Sequence, residues 1–330
     1  MYSPPFKITN KIVSLVAEIS ERIGRVSASG QVPNIPHLRK QNRIRTIQAS
    51  LAIEQNTLSI EQVTNIIDGK RVIGRAEEIK EVQNAFQAYE LIMSYDAHSI
   101  KDLLKAHGVM MLGLVKEAGR FRSGGVGVFG EQGLVHLAPP ADLVPTHIKN
   151  LFDWYAQSDL HVLIKSAIFH YEFEFIHPFA DGNGRMGRMW HSKLMSEWNP
   201  VFYWLPVEDM IREHQQDYYK ALSVSDDNAE STIFVELMLT LIKETLDEYI
   251  KDQNALLEKS SQESIQESNQ EILNIISSNP TVTISQLSNM TGLSTSGIKK
   301  RLTALKEKGL IIHEGSTKAG RWIVKKVNME

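Results

Sequence analysis

A break between two helical stretches, at residues 177 to 182, is the feature that most constrains the fold of this chain. Apolar residues recur at helical spacing from Ile164 to Phe175, which predicts a long buried helix ending at His177-Pro178, because proline cannot continue a helix. After the turn ADGNG a second apolar stripe predicts another helix. The stripes consist of Ile164, Ile168, Tyr171 and Phe175 before the break and Met186, Trp190 and Leu194 after it.

The twelve residues HPFADGNGRMGR that cross this break bring several chemical groups together. Gly182 to Gly184 permit positive φ at a helix start, where free N–H groups attract anions. Arg185 and Arg188 are three residues apart, so both can reach one polyphosphate. Asp181 offers a hard oxygen ligand for Mg²⁺, and the His177 imidazole can accept a proton from an attacking hydroxyl. The pattern predicts a phosphoryl- or nucleotidyl-transfer site.

Two other readings of these residues are disfavoured. GNGRMG satisfies the dinucleotide fingerprint G-x-G-x-x-G, but so does GVGVFG at 125 to 130, and neither lies in a clear βαβ unit. The histidines show no H-E-x-x-H spacing, which disfavours a zinc enzyme.

Composition narrows the class of protein further. The 330 residues are 42% hydrophobic and 23% charged, as in an ordinary globular chain with more than one core. A formal charge of −3 excludes a polybasic protein, and the absence of cysteine excludes disulfides, thiolate zinc sites and cysteine nucleophiles. There is no signal-peptide core and no apolar run of about eighteen residues, so we expect a cytoplasmic protein with no membrane partner.

The signature matches, position by position, the pattern HPFx(D/E)GNGRxxR of the Fic family, and the chain resembles that family over most of residues 1 to 250. The resemblance implies transfer of AMP from ATP to a Ser, Thr or Tyr hydroxyl of a target protein, with release of pyrophosphate. It implies His177 as the general base and Asp181 as the Mg²⁺ ligand. The ATP-binding residues that it implies are Gly182, Asn183, Gly184, Arg185, Met186, Gly187 and Arg188.

Two further regions resemble parts of a Fic site. The glycine-rich residues 121 to 140 predict a β-hairpin, similar to the flap that aligns the extended backbone of a target. Tyr218, Tyr219 and Asn228 resemble the adenine-facing region, although the tyrosine pair is equally consistent with core packing.

The stretch SLAIEQN, which begins at Ser50, resembles the inhibitory motif (S/T)xxxE(G/N) of Fic proteins that regulate themselves. Ser50 and Glu54 are four residues apart and share a helix face. The resemblance implies that Glu54 pairs with Arg188 and blocks the reactive pose of ATP. Gln55 departs from the pattern, which has Gly or Asn there. A solvated glutamate on an amphipathic helix is the alternative.

We predict a mainly α protein: a Fic-type helical bundle with a β-hairpin flap, plus a C-terminal winged helix-turn-helix domain. The linker prediction rests on a polar stretch, 259 to 270, with Ile265 as its one apolar residue. The segments are an N-terminal helical region with the inhibitory helix (1–95), a catalytic core (96–250), a linker (251–270) and the winged helix (271–330).

Helix caps and a short hairpin pattern predict the winged helix. Thr283 opens a capping box and Ser294 caps the next helix, which carries the basic run 299 to 301. Residues 271 to 330 hold nine basic against four acidic side chains. An alternative to the enzyme is therefore a regulator that binds DNA or a protein through this domain. Removal of AMP at the same site and a homodimer are further alternatives.

Overall fold

The computed structural model of the chain describes residues 2–28, 36–130, 133–315 and 320–325. The chain divides into two units, Met1–Ile250 and Lys251–Glu330. Within the described ranges, no helix is both long enough and apolar enough to cross a membrane. The four-segment division expected from the sequence stays a prediction.

The first unit is a helical assembly around one apolar core, as predicted. Three 3-10 turns, Ile92–Ser94, Ala141–Leu143 and Pro200–Tyr203, connect its helices. The helices are α1 (Asn10–Ala28), α2 (Pro36–Ile53), α3 (Ile60–Ile67), α4 (Ala76–Glu90), α5 (Ile100–Met110), α6 (Val144–Gln157), α7 (Val162–Ile176), α8 (Asn183–Trp198), α9 (Val207–Glu213) and α10 (Gln215–Asn228). The helix α11 (Thr232–Ser278) begins in this unit and continues past its boundary at Ile250.

The predicted stripes of α7 and α8 lie at the centre of this core. Ile164, Ile168 and Tyr171 are buried, and so is the stripe of α8. The prediction is wrong at Phe175, which is 38% exposed. Phe175 belongs to the last turn of α7, next to the connecting loop, and its ring packs beside that of Tyr171 at a centroid distance of 6.3 Å.

A two-stranded antiparallel hairpin, β1 (Gly127–Gly130) with β2 (Gly133–Leu137), confirms the hairpin expected within 121 to 140. Gly127 pairs with Leu137, and a bulge follows Val128. Residues 131 and 132, at the predicted tip, lie outside the described residues.

The helix α2 lies beside α4, α8 and α9, and this position brings it to the signature. Ile44, Ile47 and Leu51, which share one face of α2, are all buried. The helix ends at Ile53, one residue before Glu54.

The second unit has its own small core, to which the end of α11 contributes Ile272 and Ile276. Most of the rest of this core comes from α12 (Ile284–Thr291), α13 (Thr295–Glu307) and the antiparallel strands β3 (Ile311–Glu314) and β4 (Arg321–Val324). The capping box at Thr283 and the cap at Ser294 are both confirmed.

The predicted linker 251 to 270 is helical, because α11 continues through it to Ser278. The reason is local, since no glycine or proline interrupts the chain between 251 and 278.

Candidate active site

The turn between α7 and α8 presents His177 from a strained backbone. His177 has φ 49° and ψ 62°, in the left-handed region that non-glycine residues rarely adopt. Its N–H donates to the carbonyl oxygen of Phe173 at 3.0 Å, and Pro178 prevents the helix from continuing. His177 Nδ1 lies 3.3 Å from the carbonyl oxygen of Glu174. A carbonyl can only accept, so Nδ1 carries the proton in this contact and the lone pair of the imidazole is on Nε2.

Arg122, which the sequence analysis did not single out, holds this turn against the base of the hairpin. The side chain is buried, and its guanidinium donates to the carbonyl oxygens of His177 at 2.7 Å and Ile176 at 3.3 Å. It also donates to the carbonyl oxygens of Gly124 at 2.9 Å and Pro139 at 2.5 Å. These charge-assisted bonds stabilise the strained conformation. The local sequence carries no signal for this role, because an arginine beside a glycine-rich run is more often exposed.

Asn183 closes the loop that leads into α8. Its side-chain oxygen accepts from the N–H of Phe179 at 2.8 Å, and its amide donates to the carbonyl oxygen of Phe179 at 2.9 Å. Gly182 has φ 81°, and a Cβ there would lie 2.6 Å from Met111 Sδ, so conformation and space both require glycine. The first N–H groups of α8 have no partner within the helix. This is the geometry of an anion-binding helix N-terminus, and the Asn183 side chain shapes its loop.

His107, a second residue that the sequence analysis did not identify, packs against the loop between α7 and α8. Its ring stacks on Phe179 at a centroid distance of 3.7 Å. Nδ1 accepts from the N–H of Gly119 at 2.9 Å, so Nε2 carries the proton and donates to the carbonyl oxygen of Asp181 at 3.0 Å. Burial lowers the pKa of His107 to about 4, so this histidine is a neutral support near neutral pH.

The carboxylate of Asp181 faces solvent at the mouth of the loop, with 56% of its side chain exposed. Oδ1 accepts from the N–H of Gly182 at 2.6 Å and from Arg185 Nη2 at 3.3 Å. Among the residues that the structure describes, no three His, Asp or Glu side chains are grouped to hold a metal ion. Because Mg²⁺ is commonly held by one or two carboxylates plus substrate phosphates, Asp181 fits an ion that arrives with a nucleotide.

Arg188 is buried against the end of α2. Its Nη2 donates to Glu54 Oε1 at 2.7 Å and to the carbonyl oxygen of Ser50 at 2.9 Å, and its Nε donates to Ser50 Oγ at 3.2 Å. A Cβ at Gly184 would collide with Glu54 Oε1, so glycine admits the carboxylate here. Burial lowers the pKa of Arg188, but Glu54, Tyr218 and Glu174 together outweigh that effect, so the net change in the pKa is upward.

Arg185 has a carboxylate partner that the sequence analysis missed. Its Nη1 donates to Glu81 Oε1, on α4, at 3.0 Å. Asn56 Nδ2 donates to Glu81 Oε2 at 2.7 Å and to the carbonyl oxygen of Glu78 at 3.2 Å. The segment that carries Glu54 is therefore tied, through Asn56, to the carboxylate that engages the other signature arginine.

The backbone conformation at Gln55 explains why the inhibitory motif has Gly or Asn at this position. Gln55 has φ 67°, a left-handed conformation that glycine and asparagine adopt more readily than other residues. Glutamine occupies the position with strain, and the Glu54 contact with Arg188 forms nevertheless.

A buried layer of polar side chains lies beneath Arg188. Glu174 Oε1 is 3.6 Å from His170 Nε2 and has no hydrogen-bond partner among the described residues. A Cβ at Gly187 would collide with this oxygen. Burial raises the pKa of Glu174 to about 7, although the charges of His177 and Arg188 oppose the rise.

The remaining candidate residues fall into buried and exposed groups. Tyr218 is buried, and its hydroxyl lies 3.1 Å from His170 Nε2, so the structure places it in the core. Tyr219 is 46% exposed, and Asn228 is exposed at the end of α10. Met186 is fully buried. The adenine-facing roles of Tyr218, Tyr219 and Asn228 stay predictions.

Comparison with known proteins identifies the fold and the family. A model of the Fic/DOC family matches residues 97–195, and a winged helix-turn-helix DNA-binding model matches residues 265–312. The crystal structure of a Fic family protein from Desulfovibrio desulfuricans G20 is 44% identical, with 100% of both chains covered and a TM-score of 0.74. The chain belongs to the Fic family. The sequence prediction of the family, with its C-terminal winged helix, is confirmed.

More distant Fic relatives carry functional names. Two proteins named protein adenylyltransferase Fic, from Culex quinquefasciatus and Aedes aegypti, are 30% and 31% identical over 227 and 228 residues. Each match covers 64% of this chain and 42% of the relative, so the chain spans less than half the length of these proteins. A Fic-1 structure from C. elegans, at 23% identity and a TM-score of 0.61, shares the fold.

Proposed function

We propose that this protein is an adenylyltransferase that transfers AMP from ATP to a Ser, Thr or Tyr hydroxyl of a target protein, and that its own Glu54 inhibits it. The contact between Glu54 and Arg188, at 2.7 Å, carries the proposal of inhibition. The names of the distant Fic relatives support the reaction.

In the proposed reaction, the hydroxyl oxygen of the target attacks the α-phosphorus of ATP as its proton passes to His177 Nε2. The bond between the α-phosphorus and its bridging oxygen breaks, and pyrophosphate leaves. The N-terminal N–H groups of α8 bind the phosphates, and Arg185 and Arg188 neutralise the charge that develops on the leaving group. Mg²⁺ held by Asp181 would neutralise phosphate charge when it is bound.

Inhibition follows from competition for Arg188. One guanidinium cannot offer the same N–H group both to Glu54 and to a phosphate oxygen, and the Ser50 carbonyl and hydroxyl already accept from the same side chain. Binding of ATP in a reactive pose therefore requires the end of α2 to release Arg188.

The decisive experiment compares label transfer from α-labelled ATP in the wild type and in Glu54→Gly. We expect a rise of about tenfold or more, since a hydrogen bond to a charged group contributes roughly 1.5–3 kcal/mol. Glu61→Gly, at an exposed glutamate in the first turn of α3, is the matched control and should leave transfer unchanged. Equal transfer in the wild type and Glu54→Gly would contradict the proposed inhibition.

His177→Ala tests the chemical step in the activated background. The double variant Glu54→Gly, His177→Ala should lose transfer while it still binds ATP. Persisting transfer would assign the base to another residue. An AMP-modified target incubated with the wild type separates transfer from removal, because release of AMP that depends on Glu54 would favour the second reaction.

The second unit supports a second candidate function, binding of duplex DNA, for which a specific observation is available. Lys299 and Lys300 are exposed on α13, whereas Arg301 Nη1 donates to the carbonyl oxygen of Ile265 at 3.0 Å. We propose that the two lysines contact phosphates. Retardation of a random duplex by the full chain should weaken with salt and with Lys299→Gln, Lys300→Gln. Unchanged retardation in that variant would contradict the proposal.

A further inference from the structure

A hollow of about 320 Å³ lies beside the first half of α2, away from the signature loop. Its volume is at the lower end of the range for small-molecule sites, roughly 300–1,000 Å³. Ile44, Ile67 and Phe86 supply apolar walls, while Arg39 and Arg43 bring two guanidinium groups to it. A second hollow of about 400 Å³ shares Ile67 and Phe86, so the apolar surface continues beyond the first.

The two arginines of this hollow, Arg39 and Arg43, each have a buried Nε atom without a hydrogen-bond partner among the described residues. Arg43 is only 5% exposed. Both guanidiniums lie over the ring of Trp204, at 5.1 Å for Arg39 and 5.0 Å for Arg43. Stacking on an aromatic ring satisfies the face of a guanidinium but supplies no acceptor in its plane, and the Nε–H groups of Arg39 and Arg43 have none among the described residues. A buried cation with unused donors is costly unless an acceptor completes it.

The neighbouring charges do not supply that acceptor. Lys40 lines the hollow but pairs with Asp68 at 2.5 Å. The carboxylate of Glu208 accepts from the Tyr89 hydroxyl at 3.0 Å, and burial raises its pKa to about 7, so it is partly protonated near neutral pH. Glu90, an exposed carboxylate, also lines the hollow and opposes the binding of an anion.

We propose that this hollow binds a small aryl oxyanion, a planar apolar group that carries a phosphate or a carboxylate. The oxyanion accepts from the guanidinium N–H groups of Arg39 and Arg43, and the planar part packs against Ile67 and Phe86. An inorganic anion would leave the apolar walls unused, and a neutral aromatic compound would leave the buried guanidinium without an acceptor. The requirement for both an anionic group and an apolar planar group distinguishes this site from the anion-binding N-terminus of α8.

Isothermal titration of the full chain tests the proposal with four probes: phenylphosphonate, benzoate, inorganic phosphate and benzyl alcohol. Phenylphosphonate or benzoate should bind at least about tenfold more tightly than the last two, because only the aryl anions meet both requirements. The tighter of the two names the oxyanion. Binding should persist in Arg188→Ala, which removes an anion-binding side chain of the signature.

Substitutions around the hollow locate the site. Arg43→Met should weaken aryl oxyanion binding at least about tenfold, and Glu90→Gln should tighten it about twofold or more. Arg25→Gln, at an exposed arginine of α1, is the matched control and should change nothing. If Arg43→Met fails to fold, as judged by circular dichroism, Arg39→Gln and Glu90→Gln decide the question. Aryl anions that bind no tighter than inorganic phosphate, or that bind equally to Arg39→Gln, Glu90→Gln and the wild type, would overturn the proposal.

Discussion

The two signature arginines lie on one face of α8, yet the protein engages them in different ways. Arg188 finds a hydroxyl, a backbone carbonyl and a carboxylate, and all three acceptors come from Ser50 and Glu54. Arg185 divides its bonds between Glu81 of α4 and Asp181 of its own loop. Withdrawal of a single segment would therefore free Arg188 completely, whereas Arg185 would keep a partner.

The difference indicates where control of the site is concentrated. A contact made entirely by one element can act as a switch, because its loss changes every bond at once. A contact shared between two elements is better suited to hold a side chain in position. We therefore expect Arg188 to control whether the proposed AMP transfer takes place, and Arg185 to stay in position whether or not Arg188 is released.

The largest expected effect comes from making the same substitution, glutamate to glutamine, at Glu54 and at Glu81. Glu54→Gln should raise AMP transfer about tenfold or more, while Glu81→Gln should change it less than about fivefold, since Arg185 keeps Asp181 as an acceptor. Both variants keep the shape of the side chain and remove its charge. The measurement is label transfer from α-labelled ATP. Equal activation by the two substitutions would show that both arginines are switched, and the comparison would fail.

A second expected effect is a dependence of the free energy of unfolding on pH, caused by Glu174, which is buried near Arg188. Burial raises its folded-state pKa to about 7 from the ordinary 4.5, so the native protein retains a proton that the unfolded chain loses between these values. The contribution to stability is complete below about pH 4.5 and falls as pH rises to 7, by on the order of 3 kcal/mol.

Urea unfolding at pH 5 and pH 8 checks this effect. The wild type should lose up to about 3 kcal/mol more of its free energy of unfolding than Glu174→Gln does over that interval. His107→Gln is a contrast for the loop beside Arg185, because the pKa of His107 is lowered to about 4 and its contribution is lost on acidification instead. Parallel pH profiles for the wild type and Glu174→Gln would contradict the prediction.

The smallest effect concerns Gln55, which lies between Glu54, the partner of Arg188, and Asn56, the partner of Glu81. Gln55 has φ 67°, and Gln55→Gly should raise the free energy of unfolding by about 0.5–1 kcal/mol, because relief of strain exceeds the extra entropy of glycine in the unfolded chain. Gln55→Ala is the matched control and should show no gain. Chemical denaturation measures both. A loss of stability in the glycine variant would mean that the glutamine side chain has a role of its own.

Much of the fold was predictable because its signals are local. Helical spacing placed α7 and α8, the caps at Thr283 and Ser294 placed the last helices, and the signature indicated the family that comparison confirmed. One error was also local in origin, because an apolar stripe was extended one position too far at Phe175. The polar stretch 259 to 270 lies within the helix α11. Polarity by itself does not end a helix when glycine and proline are absent.

By itself, the sequence determined the break after α7, the glycine turn and the order of the chemical groups in the signature, since each depends on residues within a few positions. The resemblance to the inhibitory motif predicted one long-range contact, between Glu54 and Arg188, which are 134 residues apart. Only the tertiary structure decided the others: Glu81 and Arg185 are 104 residues apart, and Arg122 reaches the carbonyl of His177 across 55. No period or motif indicates these two contacts, because they form only when helices from distant parts of the chain pack around one core.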